Sequence, residues 1–228
     1  MATTFFIPLL GKRMRITTID DCGNVPASAE TGAYMVTDGF ISVNLSSEVE
    51  DGAEILVKKA DGTFCVNEKL ASSFKRFTAE LQFCGVNPSL LSFVSNATEY
   101  ANADADIAGF SVAEGTIDKN FSLELWTGVQ NAACSTDEEV SGYTLLPFLR
   151  AGVLGDITVD GENAVNFSIT GAYTKGGNNW GVGPWDVIMD DTPVESPLPT
   201  ALDPLDHLLM VYTTVAPPAA NDDPQDMP

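Results

Sequence analysis

The feature that most constrains this sequence is the regular alternation of apolar and polar residues along several short segments. In residues 74–83, Phe77, Ala79, Leu81 and Phe83 fall on one face of an extended strand, and polar side chains fall on the other. The same period of two recurs, clearly or weakly, in residues 12–19, 34–45, 107–114, 120–126, 153–159 and 163–170.

Such alternation is typical of antiparallel strands that bury one face and expose the other. In residues 120–126 it predicts that Ser122 and Glu124 face solvent. About eight such strands, separated by turn signals such as Asp61-Gly62, predict a mostly β fold, an antiparallel β-sandwich or barrel.

One short flanking α-helix is predicted beside these strands. Asn87 is a favourable N-cap, and Pro88 fits the first position of a helix. Leu90, Leu91 and Val94 then form an apolar stripe at helical spacing.

The remaining segments suggest how the chain is divided. Residues 46–73 are long and mixed in charge, and we interpret them as a long ordered loop between two good strands. We therefore predict one β-sandwich domain in residues 1–188 that contains this loop. A proline-rich linker in 189–206 and a C-terminal strand with an extended arm in 207–228 follow. The arm has no means of packing by itself.

The charge is strongly asymmetric. The net charge is −21, and residues 77–228 carry 22 acids against three basic residues, Lys119, Arg150 and Lys175. Such a surface cannot neutralise phosphates, so a conventional nucleic-acid grip is excluded. Because 44% of the residues are hydrophobic, the acidity belongs to a folded protein rather than a disordered acidic chain.

No apolar stretch is long enough for a membrane span, and we expect neither membrane association nor a signal peptide.

The search for catalytic chemistry finds almost nothing. The single histidine, His207, leaves little for a catalytic triad or a metal site. Two acidic stretches, 102–106 and 156–167, imitate calcium loops but lack required ligands. The glycine-rich stretch 176–184 lacks the Gly-Lys-Ser/Thr of a phosphate loop and is interpreted as a tight turn wedged by tryptophans. We predict no catalytic, cofactor-binding or metal-binding residues, and the chain is not expected to be an enzyme.

The four cysteines, Cys22, Cys65, Cys84 and Cys134, are far apart and form no Cys-x-x-Cys motif. We expect reduced, partly buried thiols rather than a zinc site or a disulfide framework.

Several stretches, taken in order, resemble the major tail tube proteins of long-tailed phages that infect actinobacteria. They cover most of the chain from about residue 60 onward: 62–68 (GTFCVNE), 79–91 (AELQFCGVNPSLL), 123–129 (LELWTGV), 143–148 (YTLLPF), 166–174 (NFSITGAYT) and 180–187 (WGVGPWDV). The first 60 residues match only in strand pattern, and residues 190–204 match nothing.

The resemblance implies a structural virion protein whose hexameric rings stack into the tail tube. Inner strands of neighbouring subunits would close a multi-subunit barrel around the DNA path, and a long loop would reach the adjacent ring. DNA would pass through without specific binding. The partners implied are other copies of the chain, the tape measure protein, and the tail-terminator and distal tail proteins at the tube ends. Neighbouring subunits would also be the tether of the C-terminal arm.

By position, residues 46–73 would be the inter-ring loop, flanked by inner strands in 34–45 and 74–84. The resemblance then makes the polar sides of those strands candidates to face the lumen: Asp38, Ser42, Asn44, Thr78, Glu80 and Gln82. The candidates for contact between rings are Glu48, Glu50, Asp51, Glu54, Lys58 and Lys59.

Two other classes of protein stay open. A capsid decoration or head–tail joining protein would share the acidity and the β content. A carbohydrate-binding β-sandwich module would use Trp126, Trp180 and Trp185 as a stacking platform for sugars.

Overall fold

The architecture is built from antiparallel strands, as the alternation predicts. The computed structural model describes residues 8–85, 87–104, 106–129, 140–157, 166–189 and 194–228. In chain order, the strands are β1 (Pro8–Thr18), β2 (Tyr34–Thr37), β3 (Phe40–Glu50), β4 (Glu54–Lys58), β5 (Phe64–Lys69), β6 (Ser73–Cys84), β7 (Ala97–Ala101), β8 (Ile107–Val112), β9 (Asn120–Val129), β10 (Ser141–Arg150), β11 (Val153–Leu154), β12 (Asn166–Thr174), β13 (Ile188–Met189), β14 (Glu195–Ser196), β15 (Leu209–Thr213) and β16 (Asn221–Gln225).

Ten strands form one sheet in the order β16-β2-β1-β9-β10-β12-β6-β3, with β11 beside β12 and β15 beside β10. All of its strand pairs are antiparallel. The end strands β16 and β3 do not pair with each other within the described ranges, so the sheet does not close into a barrel within one chain. Side chains from both halves of the sheet enter the same core, and the result is the predicted sandwich.

The first core lies between these halves and is covered by helix α1 (Pro88–Val94), where Leu91 and Val94 are buried. The predicted N-cap is confirmed: Asn87 Oδ1 accepts hydrogen bonds from the amides of Ser89 and Leu90 at 3.0 and 3.3 Å. Among the described residues, no helix is long and apolar enough to cross a membrane.

A second core covers the opposite face of β1, β9 and β10. Trp180, Trp185 and Leu198 pack there over Trp126 of β9. Strand β9 is therefore buried on both sides, and Ser122 and Glu124 are fully buried instead of facing solvent. Alternation in a strand reports which side is polar, but it does not report whether another part of the chain covers that side.

A buried ion pair joins β1 to β9 beneath this second core. Arg15 is 5% exposed and Glu124 is 0% exposed. Arg15 Nε and Nη2 donate to the two carboxylate oxygens of Glu124 at 2.5 and 2.6 Å, and the hydroxyl of Tyr143 donates to Glu124 Oε1 at 2.6 Å. The guanidinium lies 3.8 Å from the ring centroid of Trp185 and 5.0 Å from that of Trp126. The ion pair thus joins β1 and β9 to Tyr143 of β10 and to the turn that carries Trp185.

The described part of residues 189–206, Met189 and 194–206, is not the extended linker that its prolines predict. β13 pairs with β14 across the expected boundary at residue 188. Leu198 is buried in the second core, and its amide donates to the carbonyl of Val182 at 3.0 Å. The segment is part of the domain because its apolar residues cover the outer face of the sheet.

The C-terminal arm is held by contacts within its own chain. β15 pairs with β10, which confirms the strand predicted there, and β16 pairs with β2. Met227 is buried in the second core, and its amide donates to the carbonyl of Glu30 at 2.9 Å.

The expectation of partly buried thiols is wrong for three of the cysteines. Cys22, Cys65 and Cys84 are exposed and form no disulfide. Cys134 lies outside the described residues.

The buried ion pair gives a direct test of what holds the two cores together. Removing the carboxylate in Glu124→Ala leaves the Arg15 guanidinium buried without a counter-charge. We expect the free energy of unfolding to fall by about 3–5 kcal/mol, measured by urea denaturation. The exposed Glu99→Ala variant is the matched control, and we expect it to change stability by less than about 0.5 kcal/mol.

The double variant Arg15→Met/Glu124→Leu separates the charge from the packing. An apolar pair of similar volume should recover much of the loss, because no uncompensated charge is then buried. A double variant as unstable as Glu124→Ala, or a Glu124→Ala variant as stable as the Glu99→Ala control, would contradict this interpretation.

Tyr143 makes the same network sensitive to alkaline pH. Burial and then the negative charge of Glu124 raise the pKa of Tyr143 well above its usual value of 10.0. The native state therefore keeps the phenol proton at pH values where the unfolded chain releases it. Stability from this group is complete below pH ~10 and is lost as the pH rises further. In Tyr143→Phe this alkaline loss should be shallower, as measured by urea unfolding from pH ~8 to ~11. Tyr100→Phe, at an exposed site, is the control, and equal pH dependence in the two variants would count against the assignment.

Candidate functional site

Polar side chains on one side of the β3–β6 ladder form a continuous surface, which we name the polar face. The cross-strand pairs are Ser42 with Gln82, Asn44 with Glu80, Ser46 with Thr78 and Glu48 with Arg76. Because alternate residues of β6, such as Ala79 and Leu81, are buried in the core, these pairs lie on the opposite, outer side. The structure therefore brings together five of the six lumen candidates.

Charges on the polar face are few and partly compensated. Arg76 Nε donates to Glu48 Oε2 at 2.7 Å, and the hydroxyl of Thr78 donates to Glu48 Oε1 at 3.2 Å. The bond from Arg76, with Thr78 adding to it, lowers the pKa of Glu48. Glu80 is the one carboxylate of this face without a hydrogen bond or cation partner in the described part of the chain. Hydroxyl and amide groups make up most of the rest.

Asp38 does not belong to the polar face. The strand predicted in 34–45 is broken at Asp38 and Gly39, because the chain turns there between β2 and β3. The Asp38 carboxylate lies 3.1 Å from Arg13 Nη1 of β1. This lumen candidate is therefore separated from the other five.

The polar face ends at an open sheet edge. β3 is eleven residues long, pairs with β6 on one side, and has no partner on its other side within the described ranges. A long edge strand presents unpaired backbone donors and acceptors that favour pairing with another strand.

Beyond this ladder, residues 51–72 form the exposed hairpin, a structure that corrects the loop predicted in 46–73. Strands β4 and β5 pair antiparallel, and they belong to a separate two-stranded sheet. Every residue from 53 to 75 is exposed. The exposed apolar residues of the hairpin, each 37–50% accessible, are Ile55, Leu56, Val57, Phe64, Val66 and Leu70.

An isolated two-stranded hairpin is at best marginally stable in water. Contiguous exposed apolar residues also mark interaction surfaces. Val57 lies opposite Val66 in the ladder, so these two and Ile55 share one face. The exposed hairpin thus has the features of a surface that is completed by a partner.

The six inter-ring candidates divide between the sheet and the hairpin. Glu48 and Glu50 belong to β3, and Glu48 is part of the polar face. Asp51 accepts from the hydroxyl of Ser72 at 3.1 Å and lies 3.8 Å from Lys69 Nζ. Three further candidates lie on the exposed hairpin: Glu54 begins β4, Lys58 ends it, and Lys59 stands at the tip.

The sequence carries a signal for the hairpin. Asp61-Gly62 lies between the apolar run Ile55–Val57 and the strand that begins at Phe64. An Asp-Gly pair between two strand-forming runs is a strong hairpin signal. In the structure, Asp61 Oδ1 accepts from the amide and hydroxyl of Thr63 at 2.9 and 2.7 Å, and these bonds lower the pKa of Asp61.

The tryptophans proposed as a sugar platform are buried. Trp126, Trp180 and Trp185 are 2%, 3% and 8% exposed, and all three lie in the second core. Trp180 and Trp185 flank a turn in which Gly181 and Gly183 have φ values of 62° and 85°, which confirms the wedged turn predicted there.

His207 has only structural contacts among the described residues. Its Nδ1 lies 2.6 Å from Thr174 Oγ1, and its ring stands edge-on to Phe74 at 5.3 Å. Burial lowers the pKa of His207, with Asp206 opposing the shift.

One of the two calcium-like stretches is visible in full apart from residue 105. There Asn102 Oδ1 accepts from the amides of Asp104 and Asp106, both at 2.9 Å, which closes a tight turn. Residues 158–165, most of the other stretch, lie outside the described residues. No cluster of three or more His, Cys, Asp or Glu residues suited to a metal ion occurs in the part of the chain that the structure describes.

Comparison with known proteins adds no assignment to this geometry. A scan against protein-family models matches none of them, and a search of curated protein sequences finds no significant match.

Proposed function

We propose that this chain is a structural virion protein that polymerises as stacked hexameric rings into a phage tail tube, the conduit for DNA ejection. The observation that carries this proposal is the exposed hairpin, which presents apolar residues to solvent and touches no core of its own chain. A protein that works as a monomer gains nothing from such an element, whereas a polymerising subunit buries it against the next copy.

The open edge of β3 supports the same proposal. Pairing with a strand of a neighbouring copy would satisfy the free backbone groups of β3 and extend the sheet around a ring. The polar face would then line the bore, because it lies on the side of β3 and β6 away from the core.

The chemistry of the polar face suits DNA that must pass without binding. Each copy would offer the bore one unpartnered carboxylate, Glu80, among hydroxyl and amide groups, and its one guanidinium, Arg76, is paired with Glu48. A sparse ring of carboxylates repels phosphates only within roughly 8 Å at physiological salt. Described acids outside the polar face would keep the assembled particle soluble. The ends of the tube would contact the tape measure, tail-terminator and distal tail proteins.

Removing the exposed hairpin should separate folding from assembly. Replacing residues 51–72 with Asn-Gly joins β3 to β6 by a tight turn at the Glu50–Ser73 pair and leaves their ladder intact. We expect a folded subunit, by circular dichroism and urea unfolding, that forms no tubes in electron micrographs. Tubes of unchanged length would contradict the role of the hairpin.

Point variants give a matched comparison. Val57→Ser on the apolar face of the exposed hairpin should shorten or abolish tubes, while Leu205→Ser, at an apolar residue of 74% exposure away from the hairpin, should not. Micrographs of the wild-type particle that show a single ring at one junction would instead support a head–tail joining protein, and labelling confined to the head shell would support a decoration protein.

A further inference from the structure

We propose that an acidic groove beside the end of α1 receives the lysines at the tip of the exposed hairpin from a second copy of this chain. The inference rests on the proposed function in that it names the receiving surface for self-assembly. It starts from two adjoining surface cavities near the end of α1.

The acidic groove consists of two adjoining cavities of about 740 and 550 Å³, which share Ser92, Phe93, Asp118 and Lys119. Five carboxylates line the groove against the single cation of Lys119: Asp20, Asp21, Glu99, Glu114 and Asp118. Glu99, Glu114 and Asp118 make no hydrogen bond or ion pair with the rest of the described chain. Such a surface attracts a cationic group.

A buried acceptor points to the same kind of ligand. Asn120 lines the smaller cavity and is 9% exposed. Its Nδ2 donates to Asp21 Oδ1 at 2.8 Å, but its Oδ1 has no donor within the described ranges. A buried amide oxygen without a donor costs roughly 1–3 kcal/mol, which a ligand with N–H groups would recover. An ammonium group offers three such donors and a positive charge.

Several of the eleven basic side chains are engaged within the described chain, and the Nζ of Lys58 lies 5.3 Å from the ring centroid of Phe64. Five basic side chains lie within 4 Å of a carboxylate of their own chain: Arg13, Arg15, Lys69, Arg76 and Arg150. Lys58 and Lys59 have no carboxylate partner among the described residues, and they stand together at the tip of the exposed hairpin. Residues 53–75 hold four lysines against three acids, in a chain whose net charge is −21. The segment thus carries a net charge of +1, and the acidic surface of a second copy attracts it.

The two surfaces are placed for a repeating contact. The exposed hairpin joins the sheet at Ser73, the first residue of β6, whereas α1 follows the last residue of β6, Cys84. No residue of the hairpin lines the groove of its own chain. Contacts between two different patches of identical subunits are head-to-tail, and they continue from copy to copy.

Zero-length crosslinking tests the contact without requiring tubes. Equal amounts of the full chain with natural nitrogen and with ¹⁵N are mixed at high concentration and treated with a carbodiimide, which couples ammonium and carboxylate groups in direct contact. We expect mixed-isotope crosslinks that join Lys58 or Lys59 to Glu114 or Asp118. Crosslinks that avoid the groove, or no mixed-isotope crosslinks at all, would overturn the inference.

Charge reversal with rescue provides the second readout. Glu114→Lys/Asp118→Lys and Lys58→Glu/Lys59→Glu each remove one of the two groups that the carbodiimide joins, so each should abolish these crosslinks. The quadruple variant, in which the ammonium and carboxylate groups have exchanged places, should restore crosslinks between the same four positions. Asp186→Lys/Glu195→Lys makes the same charge change at exposed acids outside the groove, and we expect it to keep the wild-type yield. Loss without rescue, or equal loss in this control, would show that the groove is not the receiver.

The two proposals fail separately. If Glu114→Lys/Asp118→Lys still forms tubes of wild-type length, the proposed role of the groove is wrong and the tail tube proposal is unaffected. If the wild-type protein gives mixed-isotope crosslinks at the groove but never forms tubes, the proposed contact is supported and the tail tube proposal is contradicted.

Discussion

The ion pair between Arg15 and Glu124 is the constraint on which the rest of the fold depends. Two charges without water are costly unless each is surrounded by partners. Here the partners come from three strands and from the tryptophan turn: Tyr143 donates to the carboxylate, and Trp185 lies against the guanidinium. The second core therefore cannot form without β1, β9 and β10 in register, and the register of β1 against β9 is specified by a charge as well as by apolar shape.

This arrangement also explains why the outer face of the sheet is sealed while its edge is not. The turn at 180–185 and Leu198 cover β1, β9 and β10, so these strands cannot meet another molecule. β3 and the exposed hairpin lie at the other end of the strand order, where no second core reaches. One domain thus combines a covered half with a half whose edge strand and hairpin are exposed, and the proposed self-assembly needs that combination.

The alternation in the sequence was sufficient for the parts of the fold governed by local pattern. It predicted β6, β9 and β12, and the Asn87-Pro88 pair predicted the start of α1. It could not predict the burial of Glu124, because the partner Arg15 is 109 residues away and nothing local indicates a second covering layer. The prolines of residues 189–206 suggested a linker for the same reason: composition does not show that a segment has a surface to cover.

The sequence pattern likewise predicted part of the candidate site, namely the residues whose position depends on strand alternation. Because side chains alternate strictly along paired strands, Ser42, Asn44, Thr78, Glu80 and Gln82 were placed correctly on one side of their strands. Asp38 lies off the polar face because a turn between β2 and β3 interrupts the period of two. The length and mixed charge of residues 46–73 are typical of a loop, and only the Asp61-Gly62 pair indicates the hairpin.

The closing of β16 on β2 bears on biosynthesis. β2 ends at Thr37, whereas the strand that covers its edge begins only at Asn221. In a nascent chain interrupted between these two strands, the edge of β2 would stay open to pairing with other strands.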